Sequence, residues 1–100
     1  MVKEPNGAEL IAIERRRQIE KERWSAWHDD TIHCHDQLAR AAACYAMPER
    51  FRKTRKRGLW GWASRWWKPV PEDRIRELVK AGALIAAEID RLQRSRARVS

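Results

Sequence analysis

The sequence predicts an all-α domain. Three observations carry that class. Ile75, Leu78, Gly82, Ile85, Ile89 and Leu92 recur at the 3-4-3-4-3 spacing of a helical stripe. The stretch from Ala8 to Arg23 contains neither Gly nor Pro and is rich in helix formers. No segment shows the two-residue alternation of a strand. The expected arrangement is three principal helices in one domain over residues 8–94, joined by a long basic, tryptophan-rich connector. A disordered lead (1–7) and a frayed basic tail (95–100) flank it. A chain of 100 residues buries little of its own surface, so assembly into a dimer or larger homo-oligomer is also expected.

Pro5-Asn6-Gly7 punctuates the lead before the first helix. That helix pairs Arg16 with Glu20 on a solvated face, and its apolar side (Leu10, Ile11, Ile13, Ile19) is sparse enough to pack on one side only. Residues 24–35 form a polar connector. Asp36 is placed to N-cap a short helix carrying Leu38, Ala41, Ala42 and Tyr45 on one face, which Pro48 stops. Between Arg50 and Val70 the sequence predicts loop with one short helical turn, because Gly58, Gly61 and Pro69 break a longer helix. Pro71 suits a first helical position, with Glu72 and Asp73 complementing the helix dipole. The helix that follows, running to about Arg94, is expected to form the spine of the core through its apolar stripe.

Charge is concentrated in one place. The chain holds 22 Lys and Arg against 14 Asp and Glu, a net charge of +8. Arg50, Arg52, Lys53, Arg55, Lys56, Arg57, Arg65 and Lys68 lie in a segment without an acidic residue, and they account for all of that excess. A local excess of this kind points to a surface for an anionic partner. Trp60, Trp62, Trp66 and Trp67 fall in the same segment. Lys and Arg neutralise phosphates, and indole faces stack on bases or receive guanidinium groups. The competing reading is that the tryptophans supply bulk to a thin core while the arginines are simply solvated. The two combine if Trp66 and Trp67 are buried and Trp60 or Trp62 is exposed.

A second cluster is Trp24-x-x-Trp27-His28-Asp29-Asp30-x-x-His33-Cys34-His35-Asp36. Its spacing matches no standard zinc pattern, so no metal ligands are assigned, with His28, His33, Cys34 and His35 left open. It reads as a polar loop with His–Asp pairs, or as part of a ligand pocket built on His28 and Asp29. Catalytic signatures are missing. Glu14, Glu20 and Glu22, and later Glu88 and Asp90, do not fall at the ExxE and ExxD intervals of all-helical nucleotide pyrophosphatases of the MazG type. No phosphate-cradling glycine loop and no nucleophile–base pair is present, so the reading leans away from an enzyme and needs no cofactor. A metal-dependent phosphohydrolase stays the enzyme reading, requiring a bound metal. Cys34 and Cys44 make no disulfide framework, and neither an apolar leader nor a membrane-length apolar run occurs, so no membrane association and a cytoplasmic location are expected.

Glu14-Arg15-Arg16-Arg17-Gln18-Ile19, Trp24, His28-Asp29-Asp30, Leu38-Ala39, Ala41-Ala42-Ala43-Cys44-Tyr45-Ala46, Trp67-Lys68-Pro69 and Leu78-Val79-Lys80-Ala81-Gly82-Ala83-Leu84-Ile85 together resemble a family of small phage and prophage proteins. The resemblance spans about residues 11–92. It implies residence in a host bacterial cytosol. A fainter resemblance, through Trp24, Asp29-Asp30, His33, Asp73-Arg74 and the Leu78 helix, is to the RyR domain, which implies a nucleotide-type ligand.

The leading expectation is a non-catalytic phage protein that binds a nucleotide-type anion, used to sequester a host immune signalling nucleotide. Arg52, Lys53, Arg55, Arg65 and Lys68 would neutralise phosphate, Trp24, Trp60 or Trp62 would stack on the ring, and His28 and Asp29 would hydrogen-bond to the base or sugar. The principal alternative is nucleic-acid binding through residues 50–68. A further one is inhibition of an acidic host protein.

Overall fold

The computed structural model describes residues 3–21 and 36–99, apart from the side chains of 54–57 and 99. The chain is all-α. Its α-helices among the described residues are α1 (Gly7–Lys21), α2 (Gln37–Ala46), α3 (Glu49–Leu59) and α4 (Arg74–Val99), with a 3-10 turn at Ser64–Trp66. None of these helices is long and apolar enough to cross a membrane.

The N-terminal punctuation is a cap. The Asn6 side-chain oxygen accepts from Glu9 N at 2.9 Å, and Glu9 Oε1 accepts from Asn6 N at 3.0 Å. This reciprocal pair is a capping box with Asn in the first position, and it starts α1 at Gly7. Asp36 stands at the N-cap position of α2 in the left-handed region (φ 66°), but its side chain makes no capping hydrogen bond. Its carbonyl accepts from Arg40 N instead. At α4 the cap is Asp73, whose Oδ1 accepts from Arg76 N at 3.1 Å. The helix therefore begins three residues after Pro71. It continues through Val99, so residues expected to fray are helical.

The basic segment also departs from expectation. Residues 49–59 form a full helix, α3, where loop was predicted. Gly58 lies in the last turn, where a glycine costs little, and the eight residues before it contain no breaker. Among the described residues there are thus four α-helices, where three principal ones were expected.

α4 is the central element, packed by α2 on one side and α1 on another. The core between α2 and α4 is built mainly of alanine: Ala41 and Ala42 meet Ala81 and Ala87, with Leu38, Leu84 and Tyr45 adding bulk. Small side chains let the two helix backbones approach closely. Among the described residues, Leu38 and Leu84 are the large aliphatics buried completely, each contributing ~1.5–3 kcal/mol. Trp60, Trp62 and Trp67 pack against this core from outside.

The stripe expected to be the spine faces outward. Ile75, Leu78, Ile85, Ile89 and Leu92 are 46–67 % exposed, while the face turned to α2 carries Glu77, Ala81, Leu84 and Glu88. The stripe and the alanine face sit on adjacent arcs of one helix, and the alanine face won because it fits the alanines of α2. The same inversion occurs on α1. Ile13 and Ile19 are exposed, and the buried side chains are Glu14 and Gln18. Glu14 is buried because three groups answer it: Arg17 donates through Nε and Nη2 at 2.9 Å each, Arg76 through Nη1 at 2.7 Å, and Gln18 through Nε2 at 3.4 Å. Burial pushes the Glu14 carboxyl up, but the hydrogen bonds from Arg17 and Arg76 outweigh it and hold the pKa below its usual value.

Candidate functional site

The C-terminus of α2 organises the surroundings of the basic segment. A helix leaves its last carbonyls without partners. Here two arginines supply them. Arg52 Nε donates to Cys44 O (3.1 Å) and Met47 O (2.9 Å), and its Nη2 donates to Tyr45 O (3.0 Å). Arg74 Nη1 donates to Tyr45 O at 2.9 Å, and its Nη2 donates to Ala46 O. Two cations at a helix C-terminus also oppose the negative end of its dipole.

Glu77 bonds to both and offsets one of the two charges. Its Oε2 accepts from Arg52 Nη1 and its Oε1 from Arg52 Nη2, both at 2.8 Å, while Arg74 Nη1 adds a third contact at 3.1 Å. Val70 N donates to Oε2 at 2.9 Å. The carboxylate is only 1 % exposed. The hydrogen bonds from Arg52 outweigh the burial that would raise it, and with Val70 and Arg74 they bring the Glu77 pKa down to about 2.

The tryptophans lean on the same place. Trp67 packs on Tyr45 at 4.7 Å between ring centroids, and the Arg52 guanidinium lies over Trp67 at 5.3 Å. Trp60 meets Tyr45, Trp62 and Trp67 edge-on at 5.9, 5.3 and 5.1 Å. Trp60 Nε1 donates to Ala63 O. The strand of chain after Trp67 is pinned as well. Lys68 N donates to the Tyr45 hydroxyl (3.1 Å), and Lys80 Nζ donates to Lys68 O (2.9 Å) while lying over the Tyr45 ring. Tyr45, Trp67-Lys68 and Lys80, far apart in the sequence, thus meet in one contact.

The expected ligand residues divide into three groups. Arg52 is 6 % exposed, and every nitrogen of its guanidinium is bonded inside the protein, so it belongs to the helix cap and is removed from the phosphate-binding set. Trp60 and Trp62 are half-buried members of the aromatic cluster. Lys53, Arg65 and Lys68 are exposed. Arg55 belongs to α3, but its side chain lies outside the described set, and Trp24, His28 and Asp29 lie outside the described residues. So do His33, Cys34 and His35. Among the described residues, no three His, Cys, Asp or Glu side chains come together as a cation site.

Two exposed aromatics belong with the cations: Phe51, which the sequence reading missed, and Trp66, which it named in the segment but placed in the core. Trp66, expected to be buried, is 56 % exposed, with Arg65 over its ring at 5.5 Å. Phe51 is also exposed, with Arg50 over its ring at 4.6 Å. Trp66 and Trp67 are adjacent in a 3-10 turn and the residue after it, so only one of the pair can face the core. That geometric constraint is the signal that separates them. Comparison with known proteins gives no match to this chain among family models, curated proteins or solved structures.

Proposed function

We propose that the protein binds a nucleic-acid strand along the outer side of the basic segment, with α3 and the 3-10 turn as the contact elements. The observation that carries the reading is the sorting of that segment. Its interior-facing members, Arg52, Trp60, Trp62 and Trp67, form cap and core, whereas Arg50, Lys53, Arg65 and Lys68 are exposed together with Phe51 and Trp66. Cations interleaved with open aromatic faces suit a polyanion whose bases stack and whose phosphates are spaced along a line. Arg52 fixes α3 to the C-terminus of α2, so the cationic helix is presented on a rigid support.

A fluorescently labelled single-stranded oligonucleotide titrated at several salt concentrations tests this. Affinity should fall steeply between low and physiological salt, with a log–log slope of roughly −0.7 per phosphate engaged. A flat salt response, or saturation by a mononucleotide with the affinity of the oligonucleotide, overturns it. The latter would return the site to the nucleotide reading built on Trp24, His28 and Asp29.

A further inference from the structure

Apart from its Gly82 edge, which Ile11 of α1 covers, the apolar stripe of α4 is exposed among the described residues. We infer that its occupant is the same face of a second copy of this chain, packed antiparallel about a two-fold axis that passes between Gly82 and Ile85.

Periodicity gives the geometry. Ile75, Leu78, Gly82, Ile85, Ile89 and Leu92 occupy alternating three- and four-residue steps, the seam of a two-helix coiled coil. The seam runs about 25 Å along the helix. Its one gap, at Gly82, is where α1 crosses closest: a Cβ placed on Gly82 would lie 2.4 Å from Ile11 Cδ1. Ile11 fills that gap, and Ile13, exposed beside Ile75, carries the apolar surface onto α1. Antiparallel packing about this axis places Ile75 against the partner's Leu92, Leu78 against the partner's Ile89 and Gly82 against the partner's Ile85. At that central pair the partner's Ile85 rests on Ile11, which already occupies the space that a side chain at residue 82 would take.

Area decides whether such a pairing is stable. At their exposed fractions, the five stripe residues and Ile13 offer on the order of 600 Å² per copy, so complete burial removes at most roughly 1,200 Å² in total, the lower bound of stable interfaces. An apolar patch of about 600 Å² stands at the upper end of what monomers expose, where patches are often functional.

Charge decides the direction. Exposed Glu72 and Asp73 lie just before α4, and its last turns carry Arg94, Arg96 and Arg98. An antiparallel pair sets Arg94 and Arg96 beside the partner's Asp73 and the partner's Glu72. A parallel pair would set three arginines against three arginines. The remaining close like-charge encounter, Arg76 with the partner's Arg91, is already neutralised within each chain by Glu14 and Glu88. The opposed helix dipoles favour the same direction.

Sedimentation velocity over a concentration series, followed by cysteine cross-linking, tests the inference. The native chain should sediment at twice its 11.9 kDa mass. Ile85→Glu with Ile89→Glu, two exposed positions, should weaken association at least about tenfold and leave the helical circular dichroism unchanged. In a Cys34→Ser background, chains carrying Ile75→Cys and chains carrying Leu92→Cys should cross-link to each other when mixed and not among themselves. A native chain that stays monomeric at every concentration overturns the inference. So does undiminished association of the Glu variant, or cross-linking of Ile75→Cys chains with one another, which would mean parallel packing. None of these readouts depends on nucleic acid.

Discussion

Arg52 and Glu77 face each other through two parallel hydrogen bonds, Nη1 to Oε2 and Nη2 to Oε1, each 2.8 Å. The pair joins α3 to α4, and the same guanidinium caps α2, so one side chain ties three helices together. Removing Arg52 takes two of the four hydrogen bonds from the buried Glu77, leaving it Arg74 and Val70 N, and uncaps the α2 carbonyls. Arg52→Ala should therefore cost about 3–5 kcal/mol, far more than Arg50→Ala, which alters an exposed residue. Urea unfolding of the two variants side by side measures the difference. Equal midpoints would mean that Arg52 is not the tie.

Acid should release the same tie. Glu77 has a pKa of about 2 in the folded chain, against an ordinary value of 4.5. A depressed carboxyl stabilises the fold above its unfolded pKa and loses that contribution as pH falls toward the folded one. Stability should thus decline between about pH 4.5 and about pH 2, by as much as ~3 kcal/mol from this group. Glu14, lowered by Arg17 and Arg76, adds to the decline in the same direction. Unfolding free energy measured at steps from pH 6 to pH 2.5 reads it, and Glu77→Gln should flatten the curve while starting lower.

How far the sequence disclosed this arrangement depends on what each residue had to resolve. Helix existence was legible, because α1, α2 and α4 follow from helix formers, alanines and apolar spacing that depend on neighbours in the chain. α3 was not: Gly58 and Gly61 suggested a break, and the long helical run of Arg and Lys before them carried no apolar period to reveal it. Burial was least legible. The most regular apolar stripe, Ile75 to Leu92, points outward, while Glu77 and Glu14 point in, because the core partner is chosen by the alanines of α2 and by arginines distant in sequence. Arg52 shows the same limit for the candidate site. Its composition marked it as a phosphate ligand, and only the position of the α2 carbonyls reveals it as a cap.

Neighbouring tryptophans should separate stability from binding. Trp66 is exposed, so Trp66→Ala should change stability by less than about 0.5 kcal/mol while weakening oligonucleotide binding by ~1–3 kcal/mol. Trp67 stacks on Tyr45 and lies beneath Arg52, so Trp67→Ala should cost more than about 2 kcal/mol of stability. Thermal unfolding and anisotropy on the same samples check both. A large loss of stability with Trp66→Ala would place that ring in the core and remove it from the interface.

The exposed cations should act on the salt slope as well as on affinity. Lys53→Ala and Arg65→Ala each remove one exposed charge, so each should reduce the oligonucleotide salt slope by up to about 1. Arg15→Ala provides the contrast, because Arg15 lies on α1 near Asp90, away from the basic segment. Its variant should leave the slope unchanged. Slopes that fall equally for all three would mean that net charge, and not the outer side of α3, sets the affinity.

Gly82 tests the closeness of α1 and α4. Replacing a helical glycine by alanine ordinarily gains about 1 kcal/mol. Here the new methyl would meet Ile11 Cδ1 at 2.4 Å and Cγ1 at 2.7 Å, which is inside contact distance, so the isoleucine must turn away. Overpacking of that kind costs about 1–3 kcal/mol, enough to cancel or reverse the gain in helix propensity. Gly82→Ala should therefore be neutral to destabilising alone. Combined with Ile11→Ala, which clears the space, the same substitution should recover its ordinary benefit, appearing as a coupling of at least about 1 kcal/mol in a double-mutant cycle by urea unfolding. Additive effects would mean that α1 does not approach Gly82 so closely.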